Sequence, residues 1–590
     1  MKPIYHSYSV WRRALSSLPQ AGCVLALAAL SAGCTQNDLG DGFSGGGSKP
    51  GSFVTLSLTT PSAPAMRSNP TGGEQGDGTE TGQDYENTVK CAVAFFYQGS
   101  GVNAGGTIPI QAAVPFTFTG NGTEGSNGID RVYTTTPQTV DLENGTYHLL
   151  LVANPGTDWW SGKSLTLGDV RDHIQQQAWQ QAEDGSYSDF VMTSAADATV
   201  TLNFNPKNDP AKATVSVERM AARLDYQAEV SYTCQDHSGA TAEITGAALV
   251  NNLTAGSYLT KRVANDVNGN GLSYLGDETP DAGVQTNYVL DPWTAQKTAG
   301  NNSFTIGDAT AQPASALYGV WFDGSSDDPN QWASSYVKAG TPVPDGSETW
   351  QRIGYTLENT TAATEAGSRY STGVVFKAKF HPTGLGTDYK DGATFFSYNS
   401  KLYASMEDLM TYFYGSVFTD DFNNITSFTT WGEVKKFITS TLLPNDPSGY
   451  YTWLKNQADS KDDADAVADV KSLTWSRYML TECGYSKSAD GAVTLDQNGK
   501  VTRTALRPTG VRTYEDATCY YTWWVRHSND GQDDTNSIME YAIVRNNIYK
   551  LKVNSIYSLG SYIPTDEDHG LVIEVYVNDW QLLDPETLPM

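Results

Sequence analysis

Phe53-Val54-Thr55-Leu56-Ser57-Leu58-Thr59 places an apolar side chain at every second position, with Val54, Leu56 and Leu58 on one side and Thr55, Ser57 and Thr59 on the other. That period of two is the mark of a half-buried β-strand. Its surroundings set the problem that the rest of the chain must solve. Before it lie residues 35–51 (TQNDLGDGFSGGGSKPG), a Gly/Ser-rich tether. After it lie residues 61–84 (PSAPAMRSNPTGGEQGDGTETGQD), a Pro/Gly/Ser-rich stretch of the length that usually serves a function or stays unstructured. A strand held between two flexible segments has no neighbour of its own. One strand cannot bury its face alone, so this one is expected to join a sheet built by later strands of the chain.

Upstream of the tether, Lys2, Arg12 and Arg13 precede the apolar run Ala21–Leu30 (AGCVLALAAL), which is too short to span a bilayer. Leu30-Ser31-Ala32-Gly33-Cys34 comes next. It is similar to a bacterial lipobox, with Ser31 where a large aliphatic residue is usual and Leu30 one place earlier. The expectation is a signal peptide over 1–33 and lipid on the Cys34 thiol. The plainer alternative is an ordinary signal peptide with a chance cysteine. The net charge of −28 over 590 residues repels nucleic-acid phosphates and suits a solvated extracellular protein, with no nucleic-acid partner.

Downstream, strand patterns recur at Thr88–Tyr97, Tyr147–Ala153 and Ala198–Phe204, with a helix expected around Leu167–Gln181. The turn-rich Asn205-Pro206-Lys207-Asn208-Asp209-Pro210 marks a boundary, and Ala213–Tyr226 opens a second region. Gly373–Phe380, Cys519–Arg526, Tyr541–Val553 and Leu571–Trp580 read as strands, with short helices at Ser405–Tyr414 and Trp431–Leu443. The fold class is mostly β: two sandwich-like domains, the second carrying helical and loop insertions. The expected division is 1–33 signal peptide, 34–67 propeptide with the first strand, 68–212 N-terminal domain and 213–590 C-terminal domain.

Catalytic signatures are missing. There is no G-x-S-x-G, no H-E-x-x-H and no Gly-rich phosphate loop with Lys, and none of the seven His has a partner at a telling spacing. An enzyme is not expected, and no cofactor apart from one calcium candidate. Asp266, Asn268, Asn270 and Asp277, with Gly271 at the sixth place, nearly fit a calcium loop. Asp277 is shorter than the usual Glu and the flanks do not read as helices, so a Gly/Asn-rich surface turn is the plainer reading. The rings of Tyr520, Tyr521, Trp523 and Trp524 could stack on sugar, though strand alternation favours core packing. Cys91, Cys234, Cys483 and Cys519 lack metal-site spacing and leave both disulfides and free thiols open.

Three stretches carry a family resemblance. They are Val215–Asp225 (VSVERMAARLD), Ile538–Val553 (IMEYAIVRNNIYKLKV) with Leu559-Gly560, and Val575–Trp580 (VYVNDW). Together with the lipid signal they resemble the major fimbrillin family of type V pili, the shaft subunits of bacterial surface fimbriae. The resemblance implies two transthyretin-like β-sandwich domains and a lipoprotein precursor carried to the outer membrane, its mature form lying in a cell-surface fimbrium. It implies an Arg-specific protease that cuts after the first strand and removes it with the lipid. Here that strand carries Val54, Leu56 and Leu58, and the cut falls between Arg67 and Ser68. A further implication is that the C-terminal tail of another copy, with Leu582, Leu583 and Leu588, fills the groove so opened. The implied partners are other copies of the chain, accessory and anchor subunits and the protease, and the implied role is a structural one that supports adhesion. The alternatives are a tip or anchor fimbrillin and a glycan-binding surface lipoprotein. Pro585 and Pro589 limit ladder pairing in the tail, so Asp579–Asp584 would do much of it.

Overall fold

The computed structural model describes residues 51–59 and 79–581 apart from internal stretches, the longer of which are 100–104, 125–130, 266–270, 275–288, 323–331, 341–349, 362–366, 413–422, 479–492, 496–500, 504–509 and 528–538. The fold is mostly β, with several sheets.

The first half forms a ten-stranded sheet. Its main path runs Ala112–Thr117, Cys91–Tyr97, Gly145–Ala153, Met192–Ser194, Ala211–Arg219, Ser52–Thr59, Arg131–Thr134, Thr123–Glu124. Two further strands, Ala198–Leu202 and Gln138–Val140, pair with Gly145–Ala153 and Ser52–Thr59 respectively. One face encloses a core of Val54, Leu56, Leu58, Ala94, Phe96, Leu149, Leu151, Val200, Val215 and Val217. Cys91–Tyr97 is buried at every position. Its other face, with Val93, Phe95 and Tyr97, packs on Trp160, Trp179, Phe190 and Tyr355 in a second core that the two halves of the chain share.

The second half contains two five-stranded sheets that face one another. One runs Thr79–Thr81, Leu571–Gln581, Asn547–Ile556, Ala222–Gln227, Gln351–Thr356. The other has Tyr232–Thr233, Thr241–Val250, Gly373–His381 and Thr518–Trp524, with Val337–Lys338 beside Thr241–Val250. Leu224, Tyr226, Leu551 and Val575 meet Ile244, Phe376, Ala378 and Tyr521 in one core. A separate small core gathers Trp431, Val434, Tyr450, Leu454 and Tyr478 around the helices Trp431–Phe437 and Tyr450–Asp459.

Two expectations shift. Ala213–Tyr226 is two strands, not one. Ala211–Arg219 completes the first sheet and Ala222–Gln227 lies in the second half, so the chain crosses at Met220-Ala221, both fully buried. The first sheet therefore takes in strands on both sides of Asn205–Pro210. The helix expected over Leu167–Gln181 spans only Leu167–Arg171, capped by Thr166, whose Oγ1 accepts from Asp169 N at 3.2 Å. A two-residue strand, Ile174–Gln175, comes after it and pairs with Ser257–Tyr258. In Cys519–Arg526, Tyr520 and Tyr521 are both buried, in different cores, as core packing requires. Cys234 and Cys519 are free thiols, pushed up to about 11 and about 12 by burial, while Cys91 is disulfide-bonded.

Candidate functional site

Val54, Leu56 and Leu58 sit side by side with no exposed surface, and burial alternates along all of Ser52–Thr59. The strand is internal. It runs parallel to Ala211–Arg219 over six register pairs, from Val54↔Ala211 to Thr59↔Ser216. On its other edge it is antiparallel to Gln138–Val140 and Arg131–Thr134. Leu56 is gripped from both backbone groups: its N donates to Thr135 Oγ1 and its O accepts from Thr135 N, each at 2.9 Å. Phe53 N donates to Asn205 O at 2.9 Å. Side-chain burial alone stabilises the seated strand by about 1.5–3 kcal/mol for each of the three apolar residues. Without the strand, two ladders would stand unpaired beside an open apolar floor, and such an edge is a template for another strand.

The other end of the chain is fixed at the junction of the two halves. Leu571–Gln581 carries Val575, Val577 and Trp580 inward, and Trp580 is fully buried. Trp580 N donates to Asn546 O at 3.0 Å, and Arg219 Nη1 donates to Trp580 O at 3.1 Å. The Arg219 guanidinium lies 4.6 Å from the centre of the Trp580 ring, and Tyr355 stacks on that ring from 5.9 Å at 8°. Burial pushes the Arg219 guanidinium down to about 10. Thr79–Thr81 pairs in parallel with Asp579–Gln581, so the segment that comes after residues 60–78 is zipped to the end of the last strand.

A charge cluster locks this zipper. Arg223, 1% exposed, reaches Glu86 Oε2 at 3.1 Å, Asp225 Oδ2 at 2.9 Å and also Glu80. Lys550 Nζ is 2.8 Å from Glu80 Oε2. Tyr355 donates to Glu86, and Arg219 Nε donates to the Glu86 carbonyl at 3.1 Å. Burial disfavours the Arg223 charge, but the carboxylates of Asp225, Glu86 and Glu80 outweigh it and hold the guanidinium charged. Such a buried cluster fixes geometry more than it adds stability. Gly82 is required here by close approach, because a Cβ at this position would lie 2.6 Å from Trp580 Nε1.

One strand joins the two ends. Ala211–Arg219 lines the seat of Ser52–Thr59, and its last residue holds Trp580. The sequence pattern shows Val54, Leu56 and Leu58 as one face but gives no sign of Glu80, Glu86, Arg219 and Arg223 as a group. The available signal was two Arg four residues apart inside an apolar run. Cys34, Arg67, Ser68, Leu582, Leu583 and Leu588 lie outside the described residues, as do Asp266, Asn268, Asn270 and Asp277. The strands flanking 266–270, Arg262–Asn265 and Gly271–Tyr274, pair antiparallel. Among the described residues, no group of three or more His, Cys, Asp or Glu could hold a metal ion, and no helix is long and apolar enough to cross a membrane.

No curated protein matches the chain in sequence. Solved structures that it resembles include a putative cell adhesion protein from Bacteroides eggerthii (12% identity, 91% of this chain and 100% of that one, TM-score 0.33). Another putative cell adhesion protein, from Parabacteroides distasonis, shows 11% identity over 90% of this chain and 98% of that one, with TM-score 0.36. A fimbrilin from Porphyromonas gingivalis W83 shows 13% identity over 90% of this chain and 99% of that one, with TM-score 0.31. At these scores the superpositions are loose. Residues 512–586, which include Thr518–Trp524, Asn547–Ile556 and Leu571–Gln581, match the family described as major fimbrial subunit protein type IV, fimbrillin, C-terminal. Over residues 512–586 the chain is therefore similar to the C-terminal domain of fimbrillins.

Proposed function

We propose that this chain is the precursor of a fimbrial subunit that supports adhesion and polymerises by exchange of its first strand. Lipid on Cys34 holds the precursor at the outer membrane. An Arg-specific protease cuts between Arg67 and Ser68. The leader strand, with Val54, Leu56 and Leu58, is then held only by non-covalent contacts and leaves with the lipid. The tail of a second copy, bearing Leu582, Leu583 and Leu588, enters the vacated seat. Each copy both gives and receives a strand, so the join is head-to-tail and builds a filament instead of a closed pair.

The observation that carries this reading is the position of Ser52–Thr59. It is an internal strand with three fully buried side chains, yet residues 60–78, which include Arg67, separate it from the next described segment. Arg67 is the only Arg between the tether and Arg131, in a Pro/Gly-rich stretch of the kind proteases cut. Support also comes from the family match of residues 512–586.

The test is digestion of the purified full-length protein with an Arg-specific protease, then an unboiled denaturing gel and N-terminal sequencing. The expected outcome is a ladder of stable oligomers whose new N-terminus is Ser68, with Arg67→Ala leaving an unpolymerised precursor. Clean cutting at Arg67 with monomer alone would favour a tip or anchor role. Scattered cutting, or none before Arg131, would overturn the processing scheme.

A further inference from the structure

We propose that Lys297 and Asn359 are joined by an intramolecular isopeptide bond whose formation is assisted by Asp291. The inference concerns the second half of the chain and stands apart from strand exchange. Lys297, Asp291 and Asn359 are 0–3% exposed. Lys297 Nζ lies 2.6 Å from Asn359 Oδ1, 2.5 Å from Asp291 Oδ2 and 2.9 Å from the Thr360 carbonyl. With a C=O bond of about 1.2 Å, the amine is no farther than about 3.8 Å from the Asn359 carboxamide carbon. A near-attack geometry needs about 3–3.5 Å.

The partners of each group define roles. The Asp291 carboxylate is fixed by Trp293 N on Oδ1 and Thr360 N on Oδ2, each at 2.7 Å. Asn359 Nδ2 donates to the carbonyls of Tyr370 (2.8 Å) and Asn251 (3.2 Å) and to Thr372 Oγ1 (2.9 Å). These bonds turn the amide oxygen toward the lysine and hold the nitrogen on the far side, where a leaving group belongs. Trp293, Phe304, Tyr318 and Tyr370 belong to the apolar cluster around the site and exclude water, which would otherwise compete as nucleophile.

A fully buried ammonium beside a carboxylate is costly to desolvate. Transfer of its proton to Asp291 leaves two neutral groups. Burial lowers the proton affinity of Lys297, against the pull of the Asp291 carboxylate. The free amine is the nucleophile. Its lone pair adds to the Asn359 carbon and forms the C–N bond, and the protonated Asp291 hydrogen-bonds the oxygen that gains charge. The amine gives up a proton, the bond from carbon to Nδ2 breaks, and Nδ2 leaves with that proton as ammonia, while Asp291 keeps the proton it took from the ammonium. The balance is one amine plus one carboxamide giving one secondary amide plus ammonia, with no oxidant, reductant or further reactant. Both buried charges disappear in the product, and the loop around 297 becomes tied to the segment after Gln351–Thr356.

The experiment is mass spectrometry of the purified full-length protein, intact and after trypsin. The expected intact mass is lower than the sequence mass by one ammonia. The expected digest contains a branched species in which residues 263–338, uncut at Lys297, are joined to residues 353–369. Asp291→Ala should restore the full mass and release the two peptides separately. Should that variant fail to fold, the wild-type digest decides alone. Peptides ending at an unmodified Lys297 beside an unmodified 353–369 would overturn the proposal. So would an ammonia loss that fragmentation places elsewhere, such as a succinimide at an Asn-Gly pair.

Discussion

Leu56→Ala tests whether the grip on Ser52–Thr59 sets the pace of assembly. Leu56 has no exposed surface and stands at the middle of the strand. Truncating such a leucine removes burial and leaves a void, at a cost of about 3 kcal/mol within a range of about 2–5. In the uncut precursor this lowers the thermal midpoint. After a cut at Arg67, the same loss falls on a strand held only by contacts, so its release should quicken by roughly a hundredfold, a factor of ten for each 1.4 kcal/mol. Ser57→Ala, on the opposite and half-buried face, should shift release by no more than about threefold. The assay is protease treatment and then timed size-exclusion or native mass spectrometry, reading the fraction of subunit that still holds the strand. Ladder growth on unboiled gels is read in parallel. A Leu56→Ala protein that melts earlier when uncut, yet releases the strand and builds ladders within threefold of wild type, would refute the idea that this burial gates exchange.

Removal of residues 582–590 should leave a processed monomer that accepts a tail and donates none. Mixed with intact subunits it should shorten ladders on gels, and unchanged ladder length would place the donor elsewhere. Gly82→Ala should destabilise the junction by about 1–3 kcal/mol, because its Cβ would press on Trp580 and Asn87; calorimetry with Trp fluorescence reads this, and an unchanged midpoint would contradict the packing. His527 is 3% exposed, and burial, with Lys261 adding to it, pushes its imidazole down to about 3. Between about pH 6.5 and that value the unfolded chain binds a proton that the folded one refuses, so stability is complete above the unfolded value and falls with acid. The slope is about 1.4 kcal/mol per pH unit, or about 2 kcal/mol by pH 5. His527→Gln should flatten that part of the urea-midpoint profile, and a profile parallel to wild type would show that other groups carry it.

The leader strand was legible because its burial pattern and its sequence share the same period of two. The same rule failed at Ala213–Tyr226. Apolar residues run unbroken through Met220-Ala221, so nothing in the pattern shows the chain leaving one sheet for another. At Leu167–Gln181 the spacing of Leu167, Val170 and Ile174 imitates a helix. Tertiary pairing with Ser257–Tyr258 takes over from Ile174 onward. The junction cluster was out of reach for a different reason: Glu80 and Lys550 are 470 positions apart. Charges that meet only through the fold leave no local spacing to read. Lys297, Asp291 and Asn359 were hidden in the same way, each an ordinary polar residue in a loop-rich stretch.

The strand Ala211–Arg219 has a mechanical consequence. In a filament joined as proposed, tension enters each subunit through the segment after Gln581 and leaves through the strand seated beside Ala211–Arg219. The shortest route between those points is Trp580 to Arg219 and then along that one strand. The seated strand lies lengthwise against it, so its six register pairs resist sliding together and do not open one after another. The helix-bearing core around Trp431 and Tyr450 lies off this line and is free to vary without weakening the fibre.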